Sequence, residues 1–261
     1  MISLIMDSRE REILSEAMRQ VSANIGKLIK QIEDTKIKEE GDAQFQGLLT
    51  SILKAALQDH DHLQLGMERS IYIAAWATRN LLELRVITKY VLERRENAIS
   101  FEDDLIIDQK EFAEALTATH KQMHKELVTE LGTLPRIEAV DKELFERILN
   151  LEKERGPKTQ ATDELVATAT KLVASRGISE KAPKFSSSIA QLVGEQERFK
   201  PAFKICSKIM HRTALSIAST NTEGSLSEIA PFLYGFSCSE LTGIYSSISQ
   251  HIEKYGVRPS A

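Results

Sequence analysis

The chain has 261 residues, 42% of them hydrophobic and 28% charged. That is enough apolar material for a sizeable core and too much for a disordered tail. A formal net charge of −4 excludes a protein that coats itself in nucleic acid, so any contact with a polyanion must be a local patch. Cys206 and Cys238, the two cysteines, lie in apolar helical surroundings and read as buried free thiols of a reducing compartment rather than a disulfide.

The opening Met1–Met6 stretch is apolar but too short for a secretion signal and lacks a basic start. No run of roughly 18 uncharged apolar residues follows, so no membrane span is expected. Its nearest approach, 224–252, is broken by Pro231, Gly235, Gly243 and several serines. These features predict a cytoplasmic protein.

The pattern is helical nearly throughout. Over 8–37, Leu14, Met18, Val21, Ile25, Leu28 and Ile32 recur at alternating spacings of four and three, a heptad seam that Ala17 and Ile29 widen. Packing against an antiparallel neighbour in the same chain is the favoured use of this seam; a homo-oligomer formed through the first helix is the alternative. Gly41-Asp42 reads as a break with Asp42 as N-cap, opening a helix over 43–60. Asp59-His60-Asp61-His62 then reads as a cap and turn.

A core helix spans 64–95. From Leu65 to Val91 it is apolar around almost its whole circumference, yet Arg79, Asn80, Glu83 and Arg85 stand at its centre. A helix apolar on every side belongs in a core or a membrane, and charges in its middle need partners. Ser100 or Asp108 caps a helix over 109–131, which Gly132 and Pro135 stop. Another, over 138–155, ends at Gly156-Pro157. Asp163 caps a short helix through Arg176-Gly177, and 177–188 is the best candidate for a linker within what is otherwise one helical domain. Pro201 suits the first turn of a helix over 201–219. Ser225 or Ser227 caps the last helical stretch, 226–254, which Pro231 and Gly235 divide. No period-two run is long enough for a sheet. The expected fold is all-α, a bundle of about eight helices with a long first helix.

From Thr213 to Glu253 no lysine or arginine occurs, and small residues alternate with Phe232, Tyr234, Phe236 and Tyr245. Small residues let helices approach and aromatics fill the space between them, so this segment is expected in the core, with a buried subunit interface as the alternative.

Two constellations carry chemistry. Arg79 and Glu83, four apart, share a helix face and can pair. The pair is either a buried ion pair that fixes helix register or a fixed cation, oriented by Glu83, for an anionic group. The second is a basic stripe, Lys200, Lys204, Lys208 and Arg212, recurring every four residues; from Arg198 to Arg212 there are five basic residues and no acid. Its plain reading is the solvated face of an amphipathic helix whose apolar side carries Phe199, Phe203, Cys206 and Met210. Its functional reading is a surface for phosphates. His211 stands at the boundary, one turn beyond Ser207, but a serine inside a helix usually bonds its own backbone.

The clusters Asp59 to His62 and His120 with His124 offer ligand types without the three or four convergent groups that zinc needs. No metal and no cofactor are expected. Gly-rich phosphate loops and nucleophile-elbow motifs are missing.

On Arg79-Asn80-Leu81-Leu82-Glu83 and Lys204-Ile205-Cys206-Ser207-Lys208-Ile209-Met210-His211, the chain resembles a bacterial all-helical family known only as a domain of unknown function. It is also faintly similar to HEPN domains, helical bundles frequent in prokaryotic defence systems as RNases. Their motif is an Arg, often followed by Asn, with a His four to six residues on. Arg79-Asn80 fits its start, whereas Arg85 stands in the place of the histidine. The resemblance implies a metal-independent RNase or RNA-binding protein, with His211 from the later helix as base and Arg79 and Lys208 on the phosphate. Glu83 completes the set. A non-enzymatic helical scaffold and a receptor for a small anionic ligand gripped by Arg79 are the alternatives.

Overall fold

The structure, a computed structural model, describes residues 8–133, 146–147, 150, 163–178, 186–210 and 229–259. Every element among them is a helix: α1 Ser8–Glu33, α2 Glu40–Arg69, α3 Ile71–Glu93, α4 Arg95–Thr133, α5 over 163–176, α6 Ser186–Leu192, α7 Gln196–Met210 and α8 Ala230–Tyr255. The all-α multi-helix bundle read from periodicity is the observed fold. No helix among the described residues is long and apolar enough to cross a membrane.

The chain falls into two compact units, one made of 1–99 with 184–261 and the other of 100–183. In the first, α3 is the axis. Ala74, Ala75, Ala77, Leu81, Leu82, Val86 and Val91 are buried, because α3 packs against α2, α6, α7 and α8 on successive sides. The pairings fix the directions. Asn80 meets Asp59 and Trp76 meets His62, so α2 and α3 form an antiparallel hairpin. Phe45 faces His251 and Gln64 faces Tyr234, so α8 returns antiparallel to α2. Arg79 meets Phe203 and Lys89 meets Glu195, which sets α7 antiparallel to α3.

The heptad seam of α1 is used inside the chain. Met18, Ile25, Leu28, Ile29 and Ile32 are buried where α1 packs on α2 and α8. The Gln46 amide donates to the Ile32 and Thr35 carbonyls and so ties the first turns of α2 to the end of α1 and the loop after it. In the second unit Ile106, Ile107, Ala113 and Val173 are buried, and Gly177 closes α5 with φ 62°, a left-handed conformation that costs glycine little.

Several expected boundaries move. Helix α2 begins at Glu40 and not after Asp42, and its N-cap, Glu39, makes no side-chain cap bond. Glu40 and Asp42 instead occupy the first turn, where the helix dipole favours acids. Helix α2 also runs through Asp59 to His62, which are neither cap nor turn: Asp59 and His60 are buried. The break comes at Ser70, because Gly66 lets the backbones of the hairpin close; a Cβ there would collide with the Ala74 backbone nitrogen. Helix α4 starts at Arg95 and not near 109, so Ser100 and Asp108 lie inside it. Asn97 donates to the Tyr90 carbonyl at 3.0 Å, so one residue, Arg94, is enough to join α3 to α4.

Pro201 is the sixth residue of α7, not in its first turn. The N–H it lacks is the one Glu197 C=O would accept, and Glu197 is exposed to water. Helix α8 starts with Pro231 in its first turn and runs undivided through Gly235 to Tyr255. The helix expected over 138–155 lies largely outside the described residues, as do 211–219, the Ser225 and Ser227 caps and the side chains of His120 and His124.

Candidate functional site

Helix α3 carries two charged centres under two turns apart. The first is the one the sequence points to. Arg79 Nε donates to Glu83 Oε1 at 2.8 Å, and the guanidinium lies over the Phe203 ring of α7, 4.3 Å from its centroid. Ser186 of α6 donates to Glu83 Oε2 at 2.9 Å. The pair therefore ties three helices together, yet its side chains keep 25% and 27% of their surface in solvent. No acceptor among the described residues meets the Arg79 Nη groups. Below Arg79, burial pushes the Cys206 thiol up to about 12, so it is an inert packing group and not a nucleophile.

On the other flank of α3, Asn80 donates to Asp59 Oδ1 at 3.0 Å. Burial raises the Asp59 carboxyl above its ordinary value, opposed by the bond from Asn80 and by His62. The His62 ring packs on the Trp76 indole with centroids 4.9 Å apart, and its Nδ1 stands 3.9 Å from Asp59 Oδ1, too far for a hydrogen bond.

The second centre surrounds Glu240 of α8, which is 0% exposed. Arg198 of α7 donates to both Glu240 Oε1 and Ser239 Oγ. Arg85 Nε stands 3.9 Å from Glu240 Oε2, and Lys89 pairs with Glu195. Burial lifts the Glu240 carboxyl to about 7, with Arg198, then Arg85, pulling it back. Burial also lowers the Lys89 ammonium, helped by repulsion from Arg85 and Arg198. Gly243 makes this possible: a Cβ there would fall on Arg85 Nη1. Beside the cluster, a groove of about 640 Å³ is lined by Lys89, Leu192, Ser247, Gln250, Lys254 and Tyr255, among others.

Arg85 thus turns into this buried cluster, away from Arg79. Lys200, Lys204 and Lys208 all lie on the exposed face of α7, and Phe203, the residue under Arg79, lies about 60° round that helix from Lys200. His211 and Arg212 lie outside the described residues, so of the predicted set the structure brings together Arg79 and Glu83, with Arg79 against Phe203 of the helix that carries the lysine stripe. Among the described residues, no three His, Cys, Asp or Glu side chains converge as a metal site. Sequence reasoning missed the Glu240 cluster. The signal available was Glu240, an acid flanked by apolar and small residues in a segment without any lysine or arginine, which must find its cation on another helix.

No known protein family, no curated protein and no solved structure matches the chain.

Proposed function

We propose that this is an RNA-contacting helical protein of HEPN-like character, in which the lysine stripe of α7 meets phosphates and Arg79 supplies a pre-oriented cation beside it. One observation carries the reading: a guanidinium fixed by Glu83 and Phe203, with its Nη groups unmet among the described residues, borders an exposed row of lysines. Arginine recognises phosphate through that free edge. The overall charge of −4 confines the contact to this patch. The free, buried thiols of Cys206 and Cys238 suit a cytoplasmic setting.

The test is binding of a labelled RNA strand across a salt series. Replacing Lys200, Lys204 and Lys208 together with glutamine should weaken binding and flatten the salt dependence by about 2 in log–log slope, at about 0.7 per phosphate contact. An unchanged slope removes the stripe from the interface. The stronger form of the reading, cleavage with His211 as base, predicts RNA hydrolysis in EDTA that His211→Ala abolishes; equal rates in both proteins would leave binding alone.

A further inference from the structure

We propose that Tyr72 and Trp76 form a stacking platform for the bases of an unpaired nucleic-acid strand, leading along α3 to Arg79; this rests on the nucleic-acid reading above and names its substrate class. Tyr72, Trp76, Arg79 and Glu83 are spaced by four, three and four residues, which places them on one face of α3. Tyr72 and Trp76 are 36% and 39% exposed, although α3 is otherwise the most enclosed helix of its unit. Trp76 is also held: the His62 ring packs against it at 4.9 Å, so the indole is braced on one side and presented on the other. A braced aromatic loses little conformational freedom when a base stacks on it.

The charges around the strip favour a strand with phosphates over an apolar partner. Arg79 follows Trp76 by one turn, and its own face is covered by Phe203, so cation and aromatic surface alternate from Tyr72 through to α7. Lys200 and Lys204 flank that edge in solvent. The one acid on the strip, Glu83, is already bonded to Arg79 and Ser186. Successive platform residues rise about 6 Å along the helix axis, nearly twice the base rise of a duplex strand, about 3.4 Å. A duplex hides its base faces in the stack, whereas every unpaired base offers one, so the platform selects strandedness and tolerates sequence.

Trp76 is the only tryptophan of the chain, so its emission reports on the platform directly. The full-length protein is titrated at low salt, in EDTA, with a twelve-residue oligouridylate, an oligothymidylate of equal length, and a duplex of equal length. Stacking quenches the emission with the midpoint given by the anisotropy of the labelled strand, for the single strands only; the two single strands compared tell RNA from DNA. Trp76→Ala weakens binding about tenfold and Trp76→Phe within about threefold, both with the circular dichroism melt unchanged. Binding with unaltered emission and an unaffected Trp76→Ala overturns the platform while leaving the lysine stripe in place. Binding of no strand at all overturns the underlying reading as well. Emission that changes with protein concentration alone, together with a dimer in sedimentation, assigns the face to a second copy of the chain and overturns the proposal too.

Discussion

Arg79 and Arg85 leave the same helix under two turns apart and meet opposite environments. Arg79 pairs along its own helix with Glu83, keeps a quarter of its side chain in solvent and leaves its Nη edge without an acceptor among the described residues. Arg85 points at a carboxylate from the far end of the chain, Glu240, which no solvent reaches. A charge pair at the surface of a bundle is weakly coupled, while removing one partner of a buried pair strands the other charge in a poorly solvated place. The difference sets a partly solvated pair on α3 apart from an arginine of the same helix turned toward an enclosed carboxylate.

The largest expected effect tests the buried centre. Glu240→Ala takes the one carboxylate that Arg85 faces and leaves Arg198 only Ser239 and Glu195, and should cost about 3–5 kcal/mol in urea denaturation. A loss under about 1 kcal/mol, the value typical of an exposed pair, would show that solvent reaches the cluster.

Next comes Gly243. Inside a helix, glycine to alanine ordinarily stabilises by about 0.5–1 kcal/mol. At Gly243 the new methyl would occupy the place of the Arg85 guanidinium, so Gly243→Ala should destabilise instead, by about 1–3 kcal/mol. Gly235 on the same helix is the control, since its nearest neighbour would be Leu14 Cδ1 at 3.9 Å, an ordinary contact. Opposite signs at the two positions in thermal melts confirm that Arg85 lies against α8.

The third effect is on pH. Glu240 is raised to about 7 in the folded protein, so between the ordinary carboxylate range and pH 7 the folded state holds a proton that the unfolded state has released. Stability from this group therefore falls as pH rises through that window and is flat above it. His60 and His251, both lowered by burial, act with the opposite sign near their ordinary value. The informative quantity is thus the difference between wild type and Glu240→Gln, which should decline from pH 5 to about pH 7. A flat difference would mean that Arg198 and Arg85 keep the carboxylate ionised throughout.

The same contrast explains what the sequence could reveal. Arg79 and Glu83 are four apart on a strongly periodic helix, so their pairing is local geometry and needs no tertiary knowledge. The burial of α3 was legible for the same reason; the α1 seam was legible as a seam, but its spacing left a neighbour in the chain and a second copy both open. Glu240 lies far along the chain from Arg85, and only the packing of α8 parallel to α3 joins them; periodicity carries no such pairing. One boundary failed where a polar residue had a partner on another helix, and another where a proline sat in a first turn. Asp59 reads as a turn residue in isolation, yet inside α2 it accepts from Asn80. Pro231 reads as a divider of its helix, but it occupies the first turn, where its missing N–H has no intrahelical role. Tyr72 and Trp76 follow the apolar pattern of a core helix, and no spacing rule distinguishes the aromatic that packs inward from the one left facing water.

The smallest stability effect should accompany a larger functional one. A double-mutant cycle on Arg79→Ala and Glu83→Ala should return a coupling below about 1 kcal/mol in denaturation, because both side chains are partly solvated and water replaces what is lost. In RNA binding the two substitutions should part company. If Arg79 meets phosphate as proposed, Arg79→Ala should weaken binding about tenfold, whereas Glu83→Ala would remove only the group that orients it and should weaken binding less, without changing the salt slope. Equal losses in binding from both would mean that the pair serves the interface only by keeping α6 and α7 against α3. Arg79→Lys separates these further, since lysine keeps the charge but neither the planar fork nor the stack on Phe203. If lysine restores binding in full, charge alone is what the strand reads at this position.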